Sequence, residues 1–252
     1  MKTLLLCFIS FTYIFLCLTS LNAQFSEKQF FIYNNISYDI FIVKQDSNLA
    51  NKCSFVDNTF KIGERDFFSS FNSKYFFAIT ASIIDSNCNP LGLFIKNGRK
   101  FSDINTSKQG LGSFYSINPN GIFYITQKNE IIVSSTPDFL QSTHELKLAI
   151  QTGPVLVNNG IINSNFTIAS KNKYYRCGVG MYRTKDGNYL VFAKSNEPVN
   201  FYDFTNLFFS KYNCLNVLNL ESGANTSIHL PSHPLSRFNN NIHQCRYFVI
   251  EL

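Results

Sequence analysis

Three polar, glycine-containing segments interrupt long apolar runs in this chain of 252 residues, and they hold the side chains that group-transfer chemistry uses. The first is Gln151-Thr152-Gly153-Pro154, and the second is Tyr175-Arg176-Cys177-Gly178-Val179-Gly180. The third runs from Leu218 to Asn225, where a short apolar stretch ends in Glu221-Ser222-Gly223. With only 12 Gly in the chain, such clusters mark places where backbone bends or is closely approached. Polar residues at the ends of buried strands converge readily on a cleft. The plain alternative is that all three are ordinary tight turns, with Arg176 stacked on Tyr174 and Tyr175.

Other reactive types carry weaker signals. Cys177 invites a thiol nucleophile, but no His stands near it in sequence, so packing or a disulfide is the better reading. Glu197 is a second acid close to the middle segment and reads as a solvated one. His229 and His233 have metal-compatible spacing only on a helix, and Pro231 and Pro234 favour a loop there, so no metal site is expected. Removing a leader leaves Cys53, Cys88, Cys177, Cys214 and Cys245, an odd number that keeps at least one thiol unpaired within the chain.

These segments must be held by strands. Apolar runs bounded by Asn, Gly, Asp and Ser predict strands over Gln29–Tyr33, Tyr38–Val43, Tyr75–Ile84, Leu91–Ile95, Gly121–Thr126, Ile131–Ser134, Leu146–Ile150, Val155–Val157 and Cys245–Glu251. Hairpins are predicted with turns at Lys128-Asn129 and at Lys185-Asp186-Gly187-Asn188. Helical spacing is confined to Arg65–Ser73, Phe201–Tyr212 with Asn200 as its cap, and a short turn at Pro137–Ser142. The fold class is therefore α+β, mixed, with strand-dominated sheets, a few external helices and a single domain.

Composition sets the outer limits. At 45% hydrophobic, 16% aromatic and 15% charged residues, the chain is neither disordered, collagen-like nor a coiled coil. Residues 1–23 read as a signal peptide: Lys2 precedes the apolar run Leu4 to Leu18, shorter than the roughly twenty residues of a membrane span, and Ala23 offers a cleavage point. The expected mature domain is 24–252, exported to the periplasm or secreted, without a membrane span. Removing Lys2 from the 22 basic residues leaves 21 against 16 acidic ones, a net charge of +5. The basic residues are scattered, which excludes a nucleic-acid-binding arm. Four Asn-x-Ser/Thr acceptors occur, at Asn35, Asn105, Asn165 and Asn225.

The order and spacing of these segments resemble the phosphodiester glycosidase family, from about residue 36 to 232. The likeness is carried by Phe76–Ile84, Pro90–Leu93 with Asn97-Gly98, Gly112-Ser113-Phe114, Asn120–Tyr124, Ala149–Val157 with Gly160, Arg176 with Gly178-Val179-Gly180, Ser195, Pro198–Phe204 with Leu207-Phe208, and Cys214–Leu220. The family cleaves a sugar, of N-acetylglucosamine type, from a phosphodiester at the anomeric carbon. The resemblance implies an oxocarbenium-like transition state with a phosphate that is already a good leaving group.

On that resemblance Arg176 is the phosphate-binding candidate. Glu221 is the carboxylate that stabilises the cation or positions water, and Gln151 and Ser195 orient substrate hydroxyls. Thr80, Thr152, Gly153, Gly178, Ser222 and Gly223 complete the expected substrate-binding set, and no cofactor is implied. The sequence departs from the family where Thr80 replaces an Asn, Ser82 a Gly, and Glu221-Ser222 an Asp-Gly. These departures keep open a non-catalytic descendant that binds a sugar phosphate or glycan.

Overall fold

The computed structural model describes residues 25–58, 74–81, 83–85, 89–110, 112–232 and 245–251. The expected leader 1–23, the expected helix Arg65–Ser73, Ser82, Cys88 and His233 lie outside the described residues.

Three antiparallel sheets wrap one core. The largest has seven strands in the order β1 (Phe25–Tyr33), β2 (Ile36–Lys44), β13 (Gly187–Ser195), β12 (Arg176–Thr184), β14 (Asn216–Ser222), β10 (Val155–Asn158) and β11 (Ile161–Ile162). A four-stranded sheet runs β15 (Ile228–His229), β4 (Tyr75–Thr80), β16 (Cys245–Glu251), β3 (Cys53–Asn58). A five-stranded sheet runs β6 (Arg99–Ser102), β5 (Phe94–Lys96), β9 (Leu146–Thr152), β7 (Gly121–Thr126), β8 (Ile131–Ser135). Short helices α1 (Ser47–Lys52), α2 (Ser113–Ser116), α3 (Thr136–Leu140) and α4 (Phe201–Asn206) lie among them, and α4 continues as a π-helical turn through Leu207–Lys211. This is the expected α+β, strand-dominated class.

The shared core takes one face of each sheet, and phenylalanines dominate it. Phe41 stacks on Phe77 at 4.3 Å, and Phe248 meets Phe123 edge-on at 4.9 Å, so aromatic pairs tie the sheets together. The other face of the large sheet packs on α4. Asn200 caps that helix, as the sequence predicts, by accepting the Asp203 N–H at 2.8 Å.

Period-two alternation along β12 divides its side chains between these two faces. Cys177 and Val179 join the shared core, whereas Gly178 and Gly180 face α4 and the π-helical turn. A Cβ on Gly178 would sit 2.9 Å from the Leu218 carbonyl and 3.1 Å from the Phe204 ring. On Gly180 it would meet Phe208 at 2.7 Å and Cys214 at 2.8 Å, so these glycines set the distance between sheet and helix.

Several sequence expectations need adjustment. The strand expected over Tyr75–Ile84 ends at Thr80, and that expected over Leu91–Ile95 is Phe94–Lys96. The His229 region is not a simple loop, since β15 pairs His229 with Ala78. The β12–β13 turn is Lys185-Asp186, with the positive φ on Gly187. Asn takes much of the role that scarce Gly leaves open: six of the seven described non-glycine residues at positive φ are Asn.

Candidate active site

Strand ends gather at one end of the large sheet: the start of β12, the ends of β13 and β14, the start of β2, and beside them the end of β4. One irregularity in pairing decides what these ends present. Cys177 pairs with Glu221 but Gly178 pairs with Asn219, so Leu220 is an extra residue in β14. Such a bulge places two successive residues opposite one. Leu220 and Glu221 therefore share the Cys177 side, while Asn219 and Ser222 share the Arg176 side.

On the Arg176 side the guanidinium is buried and makes three hydrogen bonds to protein. Arg176 is 1% exposed. Its Nε donates to the Val199 carbonyl (2.9 Å), Nη1 to Ser222 Oγ (2.9 Å) and Nη2 to the Asn172 carbonyl (3.3 Å). The group stacks 3.4 Å over Phe201, with Tyr174 farther away at 5.8 Å. The stacking partner is thus chiefly a residue of α4 rather than the adjacent tyrosines. Burial lowers the Arg176 pKa to about 10, which Tyr174 partly offsets.

The other expected residues on this side form a chain from Arg176. The Arg176 amide donates to Ser195 Oγ at 2.9 Å. Ser222 Oγ donates to Asn219 Oδ1 at 3.3 Å, and Asn219 Nδ2 donates to the Gly153 carbonyl at 3.0 Å. Thr152 Oγ1 donates to the Asn219 carbonyl at 2.9 Å. Asn219, fully buried, is the hub that sequence reading passed over.

The opposite side carries Glu221 with Cys177 and Thr80. Thr80 Oγ1 is 3.2 Å from Cys177 Sγ, the thiol donates to the Thr80 carbonyl at 3.2 Å, and the Ser227 amide donates to Thr80 Oγ1 at 3.0 Å. Burial pushes the Cys177 thiol far above its ordinary pKa, and the nearby Glu221 charge adds to that shift. It is an inert, packed thiol, and Cys53, Cys177 and Cys214 are all free and buried.

Burial also raises the Glu221 carboxyl pKa to about 8, against the opposing pull of the Ser222 amide, which donates to Glu221 Oε1 at 2.8 Å. Beyond it Gly223 adopts φ +101°, and nothing lies within 4 Å of where its Cβ would stand. The strand thus gives way at Gly223 to a turn with room for a side chain at that position. Lys194 pairs opposite Cys177 and acts on its thiol, and Asp39 is the cross-strand partner of Lys194. A signal for both exists in the sequence: each is a charge inside an apolar strand run, Tyr38-Asp39-Ile40 and Phe192-Ala193-Lys194.

Gln151 stands apart from both groups. Its Oε1 accepts from the amides of Leu93 (3.0 Å) and Asn105 (2.8 Å), and its Nε2 donates to the Asn105 carbonyl (2.7 Å) and Thr136 Oγ1 (3.2 Å). All of its capacity is used, holding β9 to the segments before β5 and after β6 and to the start of α3. Glu197 is exposed and accepts the Ser37 amide at 2.9 Å. Among the described residues no group of His, Cys, Asp and Glu has the clustering that a metal ion needs.

A phosphodiester glycosidase family model matches residues 72–246, a stretch that contains Thr80, Gln151, Arg176, Lys194, Asn219 and Glu221. The chain belongs to the phosphodiester glycosidase family. The YigE protein of Escherichia coli (strain K12) is 35% identical over 144 residues, 57% of this chain and 54% of that protein. The chain thus matches about half the length of this relative. The fold resembles the catalytic domain of zebrafish N-acetylglucosamine-1-phosphodiester alpha-N-acetylglucosaminidase, auto-inhibited by its pro-peptide, with a TM-score of 0.54 at 15% identity. That match covers 90% of this chain and 82% of the zebrafish chain. A protein from Synechocystis shares the fold with a TM-score of 0.52 at 12% identity, over 91% of this chain and 62% of its own. In this member of the phosphodiester glycosidase family, Ser222 supplies the hydroxyl that accepts from Arg176.

Proposed function

We propose that this protein is an exported hydrolase that cleaves an N-acetylglucosamine-like sugar from a glycosyl phosphodiester, with Glu221 as its central group. Membership of the family supports the reaction class, and the leader-like residues 1–23 support a location in the cell envelope or outside it. The observation that carries the site is a carboxyl raised to about 8 by burial, at the end of β14 where the strand ends of the large sheet and of β4 gather. A phosphate diester leaves readily without a proton, so the demand falls on the other side of the reaction. The Glu221 carboxylate meets it by taking a proton from water or by stabilising the positive anomeric carbon.

Arg176 acts at one remove in this reading. It clamps Ser222, and through the chain direction it sets where Glu221 emerges. Lys194 is the cation on the Glu221 side of the sheet and takes the electrostatic role toward phosphate. Ser195 and Thr80 fix β12 and β4 at the same end.

The test is hydrolysis of a panel of aryl and nucleotide-linked N-acetylglucosamine phosphodiesters by the purified protein and its Glu221→Gln variant. Turnover by the parent that Glu221→Gln abolishes while keeping its fold supports the hydrolase. The second reading is a binder of sugar phosphates without turnover, with Lys194 as its cation; the commitment of Arg176 and Gln151 to protein atoms favours it only in removing two residues expected to act on substrate. It is supported instead by saturable binding of N-acetylglucosamine 1-phosphate with no turnover on any substrate.

A further inference from the structure

The hairpin of β5 and β6 and the adjoining β3–β16 pair line an open pocket of about 650 Å3 that includes none of the residues around Glu221. Its walls bring Lys96, Arg99 and Arg246 together with one carboxylate, Asp57. That carboxylate is already matched: Arg246 Nε lies 2.6 Å from Asp57 Oδ1, and the guanidinium stacks 3.8 Å from the centre of the Phe94 ring. Lys96 and Arg99 remain as an excess of positive charge, and among the described residues neither has an acidic partner.

The pocket also carries an aromatic surface. Phe101 is 55% exposed on the edge strand β6, 5.7 Å from the Phe94 ring and 5.1 Å below the Arg99 guanidinium. A phenylalanine left this open contributes little to the core, and beside two cations it forms a surface with two chemistries. A pyranose ring is matched to that pair. Its axial C–H face packs on an aromatic ring and sheds water, while an attached anion takes charge-assisted hydrogen bonds from Lys and Arg.

We propose that this pocket binds a pyranose bearing a phosphate or carboxylate group. The Arg246 carbonyl accepts the amide of Ala81 at 2.9 Å, so the pocket adjoins the strand end that carries Thr80. It recognises acidic sugar independently of any reaction at Glu221.

The experiment is an NMR titration of the 15N-labelled full chain, read at the amides of the β5–β6 hairpin, in parent and Glu221→Gln backgrounds. Separate arms use N-acetylglucosamine 1-phosphate, glucuronic acid, N-acetylglucosamine and inorganic phosphate. Saturable hairpin shifts are expected with the charged sugars in both backgrounds, and binding by only one of the two identifies phosphate or carboxylate as the preferred anion. The neutral sugar and inorganic phosphate should bind at least about tenfold more weakly, the loss of one of two cooperating contacts. Lys96→Ala/Arg99→Ala should remove saturation, and Phe101→Ala should weaken binding by about three- to tenfold. All three side chains lie on the hairpin surface, so the variants keep the core intact. Absence of saturable shifts with both charged sugars overturns the proposal. So does inorganic phosphate that binds as tightly as they do with no effect of Phe101→Ala, since that describes a simple anion site.

Discussion

Arg176 and Glu221 lie on adjacent antiparallel strands, one register step apart, yet they face opposite sides of the sheet. Arg176 pairs with Ser222 and Cys177 with Glu221, and the extra Leu220 turns the carboxyl toward the Cys177 side. The guanidinium is consequently neither a counter-ion to Glu221 nor a shared substrate contact. Its pKa responds to burial and Tyr174, and that of Glu221 to burial and Ser222.

Arg176→Lys should therefore behave as a structural lesion. A lysine ammonium cannot reach the Val199 carbonyl, Ser222 Oγ and the Asn172 carbonyl in one planar fork, and it gives up the guanidinium stack on Phe201. A loss of about 2–4 kcal/mol of stability is expected, measurable by urea denaturation. A phosphate-gripping arginine predicts the other pattern, a raised KM with an unchanged unfolding midpoint.

Cys177→Ser should retain kcat within about threefold, less than 1 kcal/mol of barrier. The serine hydroxyl can still donate to the Thr80 carbonyl, as the thiol does at 3.2 Å. The native protein should also resist alkylation at Cys177, because burial keeps that thiol protonated. Mass spectrometry after iodoacetamide treatment, with and without denaturant, reads this directly. Loss of activity in Cys177→Ser without loss of fold would reinstate the thiol as nucleophile.

Much of the scaffold is legible in the chain because period-two alternation and turn chemistry are local. The β7–β8 and β12–β13 hairpins and the Asn200 cap fall where residue types place them. Membership of the family is legible too, from spacing. The division of the site is not. Strict alternation sets Asn219 and Glu221 on one face, and only the bulge at Leu220 separates them, a feature of pairing between strands. Gln151 is hidden for a related reason: its partners Asn105 and Leu93 are 46 and 58 residues away in the chain. A glutamine committed to four contacts has the same letter as one facing substrate.

Gly178→Ala tests the sheet–helix contact that supports the Arg176 side. The added methyl would press on the Leu218 carbonyl at 2.9 Å and the Phe204 ring at 3.1 Å, neither of which can yield without moving a strand or α4. The expected cost is about 1–3 kcal/mol, the usual range for overpacking. Thermal unfolding reads it, and an unchanged midpoint would show that α4 rides freely on the sheet.

Glu221 ties activity and stability to pH in opposite directions. Its carboxyl titrates near 8 in the folded protein, against an ordinary value of 4.5. The folded state therefore holds a proton that the unfolded state has released between those values, and stability falls as pH rises from about 4.5 to about 8. Glu221→Gln carries no such charge, so it should gain on the parent with rising pH. The full shift is moderated by the partial solvent access of the side chain, leaving an expected advantage on the order of 1–2 kcal/mol at pH 9 and almost none at pH 5. Activity should move the other way, because the ionised form does the work: kcat/KM rises with pH and levels above about 8. Glu221→Gln should lose at least about 100-fold in kcat, within the range for removing a general base. A rate that instead declines through pH 8 would assign the protonated carboxyl, and so general-acid chemistry, to this residue.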